Sequence, residues 1–436
     1  MFSLADRMEP GRLLSGNGGL GWGFIRRFLN LDNSLILWDE AVRQAVEGLR
    51  PSDSGDDNRD VEQVPLTKAV GRTLAQAVCL DRDEPPAARS AMDGFAVRAE
   101  DADENRRLVG AVHAGTASFP EVGLGETSKI MTGGTVPPGA NAVIPVERTS
   151  VEGNIVSFSI VPEVGAHIRN AGEMGKAGRE VLEKGIRIGL GDVGVAAGCG
   201  ADPLLVRTRP KVAIISTGDE IVEWTKVPED HQVRDSNRLV VAAQAEAAGA
   251  EIVMSERIPD QVEALQEGVD AALREADLVV TLGGVSMGEK DHLPGVFEAL
   301  AVEKKFHGVH VQPGKPLWCG SRDGVRVLGL PGNPVSAFVV FEVFGVPIVE
   351  SLLGLKASSS CRLETGVLEG TARSKGRPLF LPASVALGDQ RMPLVSPCSW
   401  TGSGDWTALA GATALLYLPE ETSVESGSPV EFLRLA

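Results

Sequence analysis

Between residues 211 and 352 the chain repeats one pattern: a short apolar run, a turn rich in glycine or proline, then a segment with apolar residues at helical spacing. Runs of strand length stand at 212–216, 252–254, 278–282 and 325–330. Helical spacing covers 236–248, where Asp235 or Ser236 can cap the start and Gly249 the end. It recurs over 260–276, with Val262, Leu265, Val269 and Leu273 on one face and Asp260 and Glu263 at capping-box spacing. A last, very apolar helix follows the fourth strand. Parallel neighbours need a crossover between them, so this alternation predicts an α/β fold with a mostly parallel, doubly wound sheet.

Such sheets bind ligands outside the carboxyl ends of their strands. Three loops fall there: STGDE at 216–220, GGVSMGEKD at 283–291 and LPGNPVS at 330–336. Each joins glycine or proline turns to backbone amides free to face an anion, and two carry carboxylates suited to a hard cation such as Mg²⁺. A metal-assisted phosphate site is the natural reading. Its candidates are Thr217, Gly218, Asp219 and Glu220, then Gly283, Gly284 and Ser286, and Pro331, Gly332, Asn333 and Pro334. Neither a P-loop nor a G-x-S-x-G elbow is present. Gly16, Gly18 and Gly21 satisfy G-x-G-x-x-G, but no strand precedes them and the stretch reads as a glycine-rich arm. His307 and His310 have ligand-pair spacing, yet the apolar residues around them predict a strand that points them to opposite sides.

Around this segment the sequence divides the chain further. Residues 1–34 read as a flexible extension and 35–49 as an amphipathic helix. Residues 35–80 with 179–209 form a discontinuous linking domain interrupted by a β-rich insertion at 81–178, whose turns are marked by Asp93-Gly94 and by the loop carrying Thr132. The α/β domain spans 210–355, and short strands at 356–436 predict a C-terminal β domain.

A formal net charge of −17 excludes a general nucleic-acid surface, which needs clustered Lys and Arg, but leaves room for a small anion held by local amides and a few cations. No run approaches the ~18 uninterrupted apolar residues of a membrane span, which argues against a membrane role. The five cysteines are widely spaced with no C-x-x-C, which favours a reducing cytoplasm over a disulfide framework or zinc site.

Eight segments occur in order: SAMDGFAVRAED (90–101), IMTGGTVPPGANAVIPVE (130–147), GEMGKAG (172–178), AIISTGDEIV (213–222), VRDSN (233–237), GGVSMGEKDH (283–292), PGKP (313–316) and LPGNPVSAF (330–338). Together they resemble the molybdopterin molybdenumtransferase family, MoeA-like and including the gephyrin E domain, from about Leu35 to the C-terminus. The resemblance implies a homodimer that takes adenylylated molybdopterin and molybdate, inserts the metal into the dithiolene, and releases AMP with Mg²⁺ assistance, alongside other molybdenum cofactor assembly proteins. It implies that the pterin nucleotide lies along Thr217–Glu220, Gly283–Ser286 and the PGNP loop. Asp291 would hold the Mg²⁺, Asp260 would aid hydrolysis, and Asp93 and Thr132 would come from the insertion domain. Lys315, Pro316, Ser336 and Ser403 match the molybdate positions.

Three departures bear on activity. Gln312 precedes PGKP where the family carries a cation, Pro382 stands where an arginine is expected, and Gly172-Glu173-Met174 replaces Gly-Glu-Asp. Each lost charge-assisted hydrogen bond to a dianion is worth roughly 1.5–3 kcal/mol. The alternative expectation is therefore a non-catalytic carrier or scaffold for the pterin nucleotide with a degenerate molybdate site. A nucleotide hydrolase on the same α/β domain, as in the competence-damage proteins, is disfavoured by the long β-rich insertion.

Overall fold

A computed structural model describes residues 35–49, 60–101, 104–285, 291–355, 363–388 and 392–435. These residues fall into two compact units: 35–49 with 209–352 and 363–435 make one, and 60–208 the other.

The first unit opens with helix α1 (Trp38–Val46), which buries Ala41, Val42 and Ala45. Just ahead of it, Ile36–Leu37 pair in parallel with Val309–His310. The helix thus belongs with the α/β segment, a difference from its expected grouping with residues 60–80. Its closing carbonyl, at Glu47, accepts a 2.7 Å hydrogen bond from the buried Arg326 guanidinium. A cation is placed where the unpaired carbonyls of the helix end gather.

Strands β1 (Lys211–Thr217), β2 (Glu251–Ile258), β3 (Leu278–Leu282), β4 (Glu303–His307), β5 (Trp318–Arg322) and β6 (Val325–Leu330) form one sheet in the order β2-β1-β3-β6-β5-β4. The first four in that order are parallel, as expected. Every residue of β3 is buried, which fits a strand covered by helices on both faces. Each buried Leu or Val there contributes roughly 1.5–3 kcal/mol. The antiparallel pair β5 and β4 at the sheet's edge is additional to the four strands expected of the alternating pattern, though β4 overlaps the start of the strand expected around His307 and His310; charged Glu303, Lys304 and Lys305 mask its periodicity.

Helix α2 (Ser236–Ala248) is capped by the Asp235 carboxylate, which accepts from the Arg238 amide at 3.3 Å, and ends at Gly249 with φ +107°. Helix α3 (Val262–Glu275) begins two residues later than expected, and its N-cap is Gln261 with no side-chain bond. The capping-box reading of Asp260 and Glu263 is therefore wrong. Short α4 (Leu293–Ala299) packs with α3 against the sheet through Leu265, Val269, Phe297 and Val279. After β6 the chain forms α5 (Pro334–Val340), a π turn (Phe341–Gly345) and α6 (Val346–Leu352). This 19-residue stretch is long and apolar enough to cross a membrane, but 83% of its most apolar window is buried in the protein. It is the core helix behind the PGNP loop.

Five further strands of the first unit, β7 (Glu364–Leu368), β8 (Leu379–Leu387), β9 (Pro393–Pro397), β10 (Ala414–Leu418) and β11 (Pro429–Arg434), close into a barrel in the order β7-β9-β8-β10-β11. Trp38 of α1 stands edge-on to Phe380, ring centres 5.2 Å apart, and 5.6 Å from Tyr417.

In the second unit a six-stranded sheet has the order 142–145, 94–97, 126–130, 105–112, 155–158, 149–152. Residues flanking that sheet pair with each other: Val61–Val64 with Leu204–Arg207, and Val78–Cys79 with Glu180–Leu182. Their shared apolar cluster is built from Val64, Leu74, Leu182, Ile188 and Val206.

Candidate functional site

The three loops chosen from sequence meet at one sheet edge, and backbone geometry requires it. The Gly283 amide donates to the Leu330 carbonyl at 3.0 Å. At φ +88°, Gly283 adopts a conformation reserved for glycine, and a Cβ there would stand 3.0 Å from the Thr217 carbonyl oxygen. A Cβ on Gly332 would lie 3.7 Å from Gly283 Cα, and the Gly332 carbonyl accepts from Asn237 Nδ2 at 2.7 Å. Gly283 is thus closely approached by the backbone of both Thr217 and Gly332, with the Thr217 methyl beside Gly284.

Carboxylates flank that edge. Thr217 Oγ1 donates to Asp260 Oδ1 at 3.3 Å, so Asp260 faces the strand end and not its own helix. Leu293, two residues past Asp291, packs against Gly284, its Cδ1 3.2 Å from where a Cβ would stand. Asp291 is half-buried; Asp219 and Glu220 are exposed just beyond Gly218. Ser286 lies outside the described residues. The two histidines separate: Gly308, at φ +89°, breaks the expected strand between them. His307 Nε2 lies 2.9 Å from the Val285 carbonyl oxygen and His310 Nε2 2.9 Å from Glu420 Oε2.

On the other side of the PGNP loop a cavity of about 470 Å³ opens between the α/β segment and the barrel. Lys315, Pro316, Ser336 and Ser403 all line it, together with Pro331 and Asn333. Gly314, at φ +112°, lets the PGKP turn press on α5, for a Cβ there would meet Val340 Cγ2 at 2.2 Å. The 400–405 loop is fastened across the opening: Asn333 Nδ2 donates to Ser403 Oγ at 3.0 Å, and the Val335 amide to the Ser403 carbonyl at 3.0 Å. Asp405 braces the same loop by accepting from the Thr401 amide at 2.9 Å and from the Thr407 hydroxyl. These hydrogen bonds, that from Thr407 foremost, hold its carboxyl below the ordinary value.

A second cation reaches this cavity that the sequence reading missed. Arg377 lines it, donating from Nη1 to the Val311 carbonyl at 3.0 Å. Backbone bonds set it there: Gln312 N to Pro378 O and Phe380 N to Gln312 O, both 2.8 Å, stitch the 377–380 segment to the strand before PGKP. Burial pushes the guanidinium down from its ordinary value, though arginine keeps its charge at neutral pH. Among the described residues neither Lys315 nor Arg377 has a carboxylate partner. Two cations with the Ser336 and Ser403 hydroxyls form a donor-rich chamber in an acidic protein, which suits a small oxyanion.

In the second unit Asp93 and Thr132 pair directly. The Thr132 amide and hydroxyl both donate to Asp93 Oδ1 at 2.7 Å and lower its carboxyl from the usual value, the amide more than the hydroxyl.

The family comparisons divide the chain into three regions, the first of which also takes in α1. Residues 36–200 match the MoeA N-terminal region (domain I and II), 213–351 a probable molybdopterin binding domain, and 366–435 the MoeA C-terminal region (domain IV). A Bacillus subtilis protein named molybdopterin molybdenumtransferase is 32% identical over 407 residues, covering 91% of this chain and 93% of its own. The chain belongs to the MoeA family. A protein of the same name from Nostoc sp. is 31% identical over 87% of this chain and 90% of its own. The crystal structure of the molybdopterin biosynthesis MoeA protein from Pyrococcus horikoshii OT3 matches with a TM-score of 0.78 at 28% identity, over 92% of this chain and 100% of that one.

Within this MoeA-family chain the three departures fall in different places. Gln312 lines the cavity, and its neutral amide takes the place of a charge. Pro382 is buried in β8, where its carbonyl accepts from Cys398 N at 2.9 Å, and it is not among the lining residues. Met174 is exposed in the second unit. Among the described residues no three His, Cys, Asp or Glu side chains converge on a metal site. Mg²⁺ asks for less, one or two carboxylates plus substrate phosphate oxygens, a donor set to which Asp291, two residues before the Leu293 that packs on Gly284, could contribute one carboxylate.

Proposed function

We propose that this protein inserts molybdate into adenylylated molybdopterin and releases AMP. One observation carries the reading: a loop touching Gly283 on one side lines, on the other, a chamber with two cations that have no carboxylate partner among the described residues, so a nucleotide site and an oxyanion site share the PGNP wall. The pterin nucleotide lies over Thr217–Glu220, Gly283, Gly284 and Pro331–Pro334, its phosphates facing backbone amides. Lys315, Arg377, Ser336 and Ser403 hold molybdate, with Pro316 shaping the turn. Asp291 would hold Mg²⁺, which supplies charge neutralisation at the pyrophosphate. Asp260 orients water toward the phosphoanhydride, a role that its hydrogen bond from Thr217 at the strand end supports. Two thiols replace one oxo group of molybdate, which leaves as water, and hydrolysis of the phosphoanhydride consumes one water and frees AMP. Asp93 and Thr132 contribute from the insertion domain of a homodimer. The protein works in the cytoplasm and exchanges its substrate and product with other molybdenum cofactor assembly proteins.

The carrier reading rests on Gln312; Arg377 weighs against it, because the chamber retains two positive charges. Purified protein given adenylylated molybdopterin and Mg²⁺ should release AMP only when molybdate is added, and Asp291→Ala should abolish the release. Nucleotide binding with no response to molybdate at any concentration would sink transfer and leave the carrier.

A further inference from the structure

The chamber is too large for the ion its charges suit. Four oxygens occupy about the share of four waters, on the order of 120 Å³, whereas the cavity holds about 470 Å³. Most of the space lies beyond the oxyanion, and its remaining lining includes flat apolar surfaces: the Trp400 indole and the rings of Pro313, Pro316 and Pro331. Trp400 is half-buried and packs against the barrel core around Leu381, Val395 and Leu416, so the barrel supports the indole while it also lines the cavity. The loop beyond it is fixed to Asn333 and Val335 through Ser403. A rigid aromatic beside prolines and two cations suits a planar heteroaromatic ring carrying an anionic tail.

We infer that Trp400 is the stacking platform for the pterin ring of the organic substrate, so that the chamber holds both reacting partners at once, with the oxyanion at Lys315 and Arg377 and the ring against the indole. This rests on the transferase reading for the identity of the ring. The PGNP wall connects the two ends: Gly332 lies against Gly283, while Pro331 and Asn333 line the chamber. One substrate can therefore lay its phosphates over the glycine edge and its ring in the cavity.

The test uses the full-length protein and three measurements: quenching of tryptophan fluorescence by pterin-6-carboxylate, calorimetric molybdate binding, and molybdate-dependent AMP release. Trp400→Ala should remove the quench and raise KM for adenylylated molybdopterin about 5- to 150-fold, the usual worth of one aromatic stack. Molybdate affinity should stay within error while Tm falls with the loss of the indole's packing on the barrel, and Trp400→Phe should recover most of the KM and most of the Tm. Trp406→Ala, which changes an exposed tryptophan on the next turn, should leave quench and KM as they were. Unchanged KM and quench in Trp400→Ala overturn the assignment. So does a joint loss of molybdate affinity and Tm that Trp400→Phe repairs, since that places Trp400 in barrel packing alone. A Trp400-dependent quench in a protein that never releases AMP keeps the platform and removes the transferase; absence of both removes both.

Discussion

The two halves of the site are built in opposite ways. The glycine edge is made of main chain, where the backbones of Thr217 and Gly332 closely approach Gly283. The chamber is made of side chains from distant segments: Lys315 from the turn before β5, Ser336 from α5, Arg377 from the segment entering β8 and Ser403 from a barrel loop. A backbone site tolerates change at the chemical groups around it but none in its φ angles. A side-chain site tolerates neighbouring turns and fails when a charge is lost.

The sharpest way to break that contrast is at Gly283. Gly283→Val forces a β-branched residue to φ +88° against the Thr217 carbonyl, and strain of this kind costs of order 1–3 kcal/mol before the clash is counted. Nucleotide binding should vanish while molybdate binding, measured calorimetrically, survives in whatever protein remains folded. Next in size, Arg377→Ala should raise the molybdate KM roughly 10- to 150-fold and leave nucleotide affinity unchanged, with Arg377→Lys between. Equal loss of both affinities would show that the two halves are not separable. A smaller effect is expected from Gln312→Lys, which adds a third cation: a several-fold lower molybdate KM with a steeper salt dependence. Pro382→Arg should give no such gain, because that position is buried in the barrel wall.

The smallest effect concerns the support behind α5. Gln244 Nε2 donates to Glu342 Oε2 at 2.7 Å and to the Phe338 carbonyl at 3.1 Å. Burial, with Glu350 nearby, pushes the Glu342 carboxyl up. A carboxyl raised in the folded state contributes stability below its unfolded pKa and loses it as pH climbs through the folded value. Glu342→Gln should therefore raise Tm more at pH 8 than at pH 5, with the molybdate KM little changed.

The same division explains what could be read from the residues. The glycine edge was legible because its determinants are local: a strand run, two glycines, a Pro-Gly-Asn-Pro turn. Lys315 and Ser403 emerged only through family resemblance. Arg377 did not emerge, since Gly-Arg-Pro in a turn is an ordinary solvated signal and its place depends on bonds to Gln312 and Val311, more than sixty residues away. Asp260 failed as a cap for a related reason. Its capping-box spacing with Glu263 is a local rule, and it lost to a tertiary partner, Thr217. The edge strand β4 was hidden by its charged Glu303, Lys304 and Lys305, and β5 by its brevity and the glycine in its middle.

The order of synthesis gives the chamber's construction a further meaning. By Leu352 a growing chain has all the residues of the glycine edge, but Arg377, Trp400 and Ser403 are still to come, and the barrel that carries them closes only when Pro429–Arg434 pairs with Glu364–Leu368. A nascent or truncated protein can hold a nucleotide before it can hold the oxyanion. Loss of the last strand should therefore leave a molecule that still meets the nucleotide phosphates at the glycine edge but has lost both the oxyanion site and the indole platform, so it binds the substrate weakly and converts none.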